Sequence, residues 1–162
     1  MLNRTLVLLG DWKGVYDEVV AMKHACGSAH MKTILATGEF PSLRHVYQAS
    51  LVCMMAGADF IKTSTGKEPV NATIPVGIVM ARAIRDYRER TNVKVGFKPA
   101  GGIRSSKDAL LWLVLMMEEL GEEWTHPDLF RLGASTLLAD IERQLYHGAT
   151  GRYHADYYIS IA

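Results

Sequence analysis

Short runs of β-branched and apolar residues alternate along this chain with longer stretches whose apolar residues recur every three or four positions, the spacing that gives a helix one buried face. Lys32 to Thr37 predicts a strand bounded by Gly38, and a helical pattern follows from about Leu43 to Ala56. Ala58 to Thr65 predicts a second strand, stopped at Gly66, with a long helix from about Pro75 to Arg90 behind it. Lys94 to Ala100 predicts a third strand, closed by Gly101-Gly102. Ser105-Ser106 then caps a helix whose first turn holds Asp108, where the helix dipole favours an acid. That helix runs through Leu120 and stops at Gly121. Leu129 to Gly133 predicts a fourth strand, and Ser135 or Thr136 starts a last helix to about Tyr146. Residues 14 to 29 predict one more helix ahead of all these, while Leu2 to Leu9 fits neither pattern.

Strand and helix that alternate in this way imply parallel strands joined by right-handed crossover helices. Two α/β architectures fit: a doubly wound open sheet and a (β/α)8 barrel. A closed barrel takes about 250 residues, so four strands in 162 residues amount to half of one. No Gly-rich or Pro-rich linker interrupts the alternation, and residues 1–162 read as one domain. Residues 148–162, with three tyrosines, are expected to form a loosely ordered C-terminal tail.

Composition narrows the function classes. Apolar residues make up 49% and charged residues 22%, the profile of a soluble globular protein. A net charge of +1 supplies no field to draw nucleic acid or anionic lipid. No apolar run approaches the roughly 18 residues of a membrane span, and the N-terminus lacks a signal-peptide layout. Cys26 and Cys53 lie in apolar helical patterns and read as reduced core residues of a cytoplasmic protein.

Lys32, Lys62 and Lys98 are the unusual residues. Each sits within a predicted parallel strand, a setting normally apolar on both faces. Lys62 and Lys98 lie just before Gly-containing loops at strand carboxyl ends, where parallel α/β folds place their chemistry. Two ammonium groups converging in a half-buried cavity favour the neutral amine, and a neutral lysine amine is the nucleophile that forms a Schiff base with a carbonyl compound. The pattern does not say which lysine attacks and which assists. The loops Gly66-Lys67, Gly101-Gly102 and Gly133-Ala134-Ser135-Thr136 each follow a strand and precede a helix. Their glycines let backbone N–H groups approach an anion, so together they suggest a phosphate site.

Rival motifs fail. Gly66-Lys67 lacks the earlier glycine of a Walker A loop, and Glu68 stands where that motif needs Ser or Thr. Gly101-Gly102-Ile103-Arg104 lacks the alternating glycines of a dinucleotide site. The six histidines are scattered, the cysteines make no zinc site, and Gly-x-Ser-x-Gly does not occur. Met54-Met55 and Met116-Met117 read as core packing.

Three segments are specific enough to compare with a family: Lys32-Thr33-Ile34-Leu35-Ala36-Thr37-Gly38-Glu39, Asp59-Phe60-Ile61-Lys62-Thr63-Ser64-Thr65-Gly66-Lys67 and Gly96-Phe97-Lys98-Pro99-Ala100-Gly101-Gly102-Ile103-Arg104. They closely resemble deoxyribose-phosphate aldolases, as does Arg131-Leu132-Gly133-Ala134-Ser135-Thr136-Leu137-Leu138 near the end. The resemblance covers essentially the whole chain and is nearest the animal-type enzymes. It implies the C-terminal half of a (β/α)8 TIM barrel, about strands five to eight with their helices. It further implies a metal-independent class I lyase, without cofactor, that cleaves 2-deoxyribose 5-phosphate to acetaldehyde and glyceraldehyde 3-phosphate.

By resemblance, Lys62 is the Schiff-base lysine, Lys98 lowers its pKa and assists proton transfer, and Lys32 is a supporting charge. Gly66, Lys67, Gly101, Gly102, Gly133, Ser135 and Thr136 match positions around the substrate phosphate. The family carries four further strands before this point, with an aspartate on the fourth that shares in proton transfer. Met1-Leu2-Asn3-Arg4 begins just after that position, and Asp11 and Asp17 fall in the following loop and helix. The expectation is therefore a half barrel with two unpaired edges, which self-associates or takes a complementary N-terminal half. A non-catalytic phosphate-binding isoform is the alternative. A phosphosugar isomerase on the same barrel is disfavoured by the lysine pair, since such enzymes rely on a carboxylate base. Bacterial relatives end in a tyrosine that reaches the site, a role open here to Tyr153, Tyr157 or Tyr158.

Overall fold

A computed structural model describes residues 1–155. The predicted strand runs form a parallel sheet, but each keeps only three residues in the ladder: β1 is Lys32–Ile34, β2 is Phe60–Lys62 and β3 is Gly96–Lys98, in the order β1-β2-β3. The runs are cut short by their own carboxyl ends. Ala36 turns into the left-handed region at φ 60° and opens a 3-10 turn over Thr37–Glu39. The side chains of Thr63 and Ser64 leave the ladder direction and bond across to Ala100. The predicted fourth strand, Leu129 to Gly133, lies parallel beside β3 but pairs with it at two isolated bridges, Phe97↔Phe130 and Ala100↔Gly133.

The helices are α1 (Arg4–Leu8), α2 (Trp12–Cys26), α3 (Leu43–Met55), α4 (Ile74–Thr91), α5 (Ser106–Leu120) and α6 (Leu137–Thr150). Their starts follow the local chemistry. The Asp11 side chain accepts from the Gly14 amide at the head of α2, and Ser105 with Asp108 forms a capping box on α5. The ambiguous N-terminus divides in two. The Leu2 amide donates to the Ile34 carbonyl along the free edge of β1, and α1 follows. Helix α6 reaches Thr150, past Gly148, before residues 151–155 turn back along it and stack Tyr153 on His147. Tyr157 and Tyr158, and with them part of the expected tail, lie outside the described residues.

Strand residues alternate between two faces. One face, with Leu35, Ile61 and Phe97, lies under the helices against Val46, Cys53, Met80, Ile84 and Met116. Trp112 from α5 packs on the Phe97 ring, centroids 6.0 Å apart. Its approach to α4 requires Gly77, where a Cβ would fall 2.4 Å from the indole. The other face carries Lys32, Ile34, Phe60, Lys62, Gly96 and Lys98 in register. Crossover helices on one side and a polar concave side on the other make this part of a barrel wall.

Two expectations need correction. Cys53 is buried, but Cys26 is exposed, because it lies in the last turn of α2 beyond the stripe that buries Val15 and Val19. Met54 and Met116 are core residues, whereas Met55 and Met117 are exposed; neighbours on a helix point about 100° apart and cannot both face inward. No helix among the described residues is long and apolar enough to cross a membrane.

Candidate active site

Parallel register brings the lysines together. Lys62 on β2 pairs with Lys98 on β3, so both side chains leave the same face at the same level. Lys32 pairs with Phe60, one level deeper on that face. The deeper level is built around the Phe60 ring, with the Lys32 ammonium 5.5 Å and the Arg131 guanidinium 5.4 Å from its centroid. Among the described residues, no acidic side chain pairs with Lys32, Lys62, Lys98 or Arg131. Burial, then the positive charges of Lys62, Lys32 and Arg131, hold the Lys98 amine below its ordinary value.

The loops at the strand carboxyl ends enclose a cavity of about 300 Å³. Lys62 forms one wall, with Thr65, Gly66 and Lys67 from the loop after β2, Ala100 to Arg104 from the loop after β3, and Gly133 to Ser135 from the last loop. The expected phosphate residues Gly66, Lys67, Gly101, Gly102, Gly133 and Ser135 are thus gathered on one cavity. Thr136 stands just past its lining, as the N-cap of α6. Lys98, level with Lys62, and Lys32 do not line the cavity.

The loops are laced to one another. Thr63 Oγ1 accepts from the Ala100 amide at 2.9 Å, and Ser64 Oγ lies 2.7 Å from the Ala100 carbonyl and 2.8 Å from Asn71 Oδ1. The Asn71 amide in turn donates to the Glu68 carbonyl. Gly101, at φ 85°, has no room for a side chain: a Cβ would meet Asn71 at 2.6 Å. The loop after β2 already holds an anion. The Glu68 carboxylate accepts from the amides of Thr65, Gly66 and Lys67 and from the Thr65 hydroxyl, at 2.8 to 3.2 Å. Burial alone would raise its pKa, but those hydrogen bonds outweigh it and hold the carboxyl below the usual range.

Sequence reasoning missed Arg131, Phe60, Arg104, Thr65 and Glu68. Arg131 was readable: it follows Lys98 by one repeat, as Lys98 follows Lys62. Glu68 was readable too, since Thr65-x-x-Glu68 has the spacing of a capping box. Asp11 caps α2 and Asp17 pairs with Lys13 on its surface, so both do structural work away from the lysines.

Known proteins similar to this chain point to one family. The chain is 69% identical to deoxyribose-phosphate aldolase of Bos taurus over 155 residues, covering 96% of this chain and 49% of that protein. It is 68% identical to the Mus musculus deoxyribose-phosphate aldolase over the same length, again covering 49% of the relative. The chain thus spans about half the length of the curated relatives it matches. Among solved structures, it superimposes with a TM-score of 0.73 on one described as a deoxyribose-phosphate aldolase from Toxoplasma gondii, at 25% identity, covering 80% of this chain and 52% of that one. These neighbours make the concave sheet and its helices a partial (β/α)8 barrel. A family model for DeoC/LacD family aldolases matches residues 3–143, most of the chain, and the chain belongs to that aldolase family.

Proposed function

We propose that this chain carries the Schiff-base lysine and the phosphate cradle of a class I aldolase acting on 2-deoxyribose 5-phosphate. The observation that carries the reading is the paired register of Lys62 and Lys98, with Lys62 alone of the two on the wall of the loop cavity. Lys62 is then placed to reach a carbonyl whose phosphate sits among Gly66, Lys67, Gly101, Gly102, Gly133 and Ser135. Lys98, whose amine is held below its ordinary value by burial and its cationic neighbours, is suited to accept and return a proton.

In this reading the neutral Lys62 amine adds to the C1 aldehyde, and loss of water leaves an iminium. The proton of the C3 hydroxyl is then removed, the C2–C3 bond breaks, and its electron pair moves into an enamine. Glyceraldehyde 3-phosphate departs with the new C3 carbonyl. Protonation of the enamine carbon and hydrolysis then free acetaldehyde and Lys62. No cofactor enters these steps. Lys32 contributes charge from below, and Thr136 acts through the start of α6. The same reading places the protein in the cytoplasm, as a self-associating chain.

A second reading, phosphate binding without turnover, is favoured by one observation: no carboxylate among the described residues pairs with the lysines to move the proton. General acid–base groups contribute about 10²–10⁴-fold in rate. The test is intact-mass spectrometry after incubation with acetaldehyde and borohydride, for the wild type and Lys62→Ala. An adduct mapping to Lys62 and absent from the variant supports the aldolase reading. Phosphate binding without any Lys62-specific adduct sinks it in favour of the second.

A further inference from the structure

Arg131 has no place in the chemistry above, yet the sheet puts it beside that chemistry. The bridge Phe97↔Phe130 sets the register of the last run, so the next residues, Lys98 and Arg131, stand level on the concave face. Together with Lys62↔Lys98, this forms a row of three cations across three neighbouring strands. Adjacent strands lie about 4.8 Å apart, so such a row is strongly repulsive unless something holds it.

Cation rows in proteins are commonly relieved by a carboxylate, which would also cancel their field. Here the outer cation is tied down in a different way. The Arg131 Nε donates to the Pro127 carbonyl at 3.0 Å, and its guanidinium rests against the Phe60 ring. Phe60 is 1% exposed, so its ring is held by what packs around it. An aromatic face and a carbonyl attract a cation but carry no net charge, so the positive field of Arg131 survives at Lys98. Arginine also stays charged at every pH at which a lysine titrates.

We propose that Arg131 is a positioning residue of the lysine site: a permanent cation, fixed by Phe60 and Pro127, that holds its positive charge beside the Lys98 amine. The proposal rests on the aldolase reading only in giving that amine a use. The charged groups facing Lys98 are Lys62 on β2, Lys32 on β1 and Arg131 on the last run, and burial acts in the same direction as all three. Arg131 is exposed, so solvent screens its effect on Lys98 without abolishing it at this spacing.

The test is trace acetylation of the whole chain with acetic anhydride across a pH series, mapped by peptide mass, with exposed Lys107 as internal reference. In Arg131→Met the Lys98 midpoint is expected to rise by about half to one unit, a roughly three- to tenfold slower labelling near pH 8. Arg131→Gln, which keeps a donor for Pro127, gives the same rise and serves where the methionine variant does not fold. Arg131→Lys keeps the wild-type midpoint. An unchanged midpoint in both neutral variants overturns the proposal. So does a shift in Arg131→Lys as large as in Arg131→Met, because shape and not charge would then be at work. None of these readings requires an acetaldehyde adduct at Lys62, so failure here and failure of the aldolase reading are separable.

Discussion

Gly96 opens β3 on the concave face, and its missing side chain decides where the Phe60 ring can lie. A Cβ built at Gly96 falls 2.4, 2.5 and 2.6 Å from three carbons of that ring. Carbon atoms rest at about 3.5–4.0 Å, so alanine at this position is short of space by about 1 Å along one edge of the ring. The ring cannot yield outward freely, since Lys32 and Arg131 both lie against it and it is almost wholly buried. Overpacking of this kind costs about 1–3 kcal/mol. For a chain of this size that corresponds to a melting temperature lower by about 4–8 °C, taking 2 kcal/mol as the middle value. The displaced ring also releases Arg131, so the Lys98 labelling midpoint should move in Gly96→Ala as it does in Arg131→Met. Differential scanning fluorimetry with the same acetylation series reads both effects. Gly148→Ala is the control: nothing stands within 4 Å of its Cβ, and it lies in α6. Alanine there should raise stability by about 0.5–1 kcal/mol. A Gly96→Ala chain that melts with the wild type and keeps its Lys98 midpoint would refute the claim that Phe60 is a fixed platform.

Asp59 joins α2 to the head of β2, accepting from Lys23 Nζ at 2.6 Å and from the Met31 amide at 2.7 Å. Burial pushes its carboxyl up, but these two bonds prevail and leave the pKa below its ordinary value. A depressed pKa means the stabilisation is complete above the unfolded-state value and is lost as pH falls through the folded one. Asp59→Asn should therefore cost about 1 kcal/mol in urea midpoints from pH 8 to 5, and the gap should narrow only below about pH 4; a gap that closes near neutrality would contradict the assignment. Glu68→Ala leaves the amides of Thr65 and Gly66 without their acceptor, while the Lys67 amide keeps the Thr65 hydroxyl, and hydrogen exchange at the first two should quicken about tenfold or more, as loss of roughly 1.4 kcal/mol implies. Exchange at wild-type rates would mean the carboxylate does not hold this loop in solution.

Much of the fold was legible because helix periodicity and strand runs were both strong. The limits of α3, α4 and α5 fall within about a turn of the apolar pattern, and Ser105 and Asp108 announced their capping box. The strands were overestimated, because residues such as Thr63 have β-favouring side chains that here serve to lace loops together. The fourth run keeps its place but not its ladder, and no local pattern reveals how many cross-strand bonds a run will make. At the site, the lysines stood out because a charged residue in a parallel strand breaks the expected pattern. Phe60 did not, since an aromatic in a strand looks like ordinary core until Lys32 and Arg131 are seen against it. Cys26 was misplaced because a helix end can carry an apolar residue beyond the stripe that packs.

The Glu68 carboxylate in the loop after β2 alters when that loop becomes ordered. Fixing the backbone of one residue costs about 1–2 kcal/mol. For Thr65, Gly66 and Lys67 that entropy is lost during folding, with an internal anion as the template. A ligand that meets the cavity therefore finds its rim preorganised, and none of its binding energy is diverted to shaping this loop. The same arrangement leaves those donors satisfied before any ligand arrives, so the ordered rim and the free donors of the cavity are supplied by different residues.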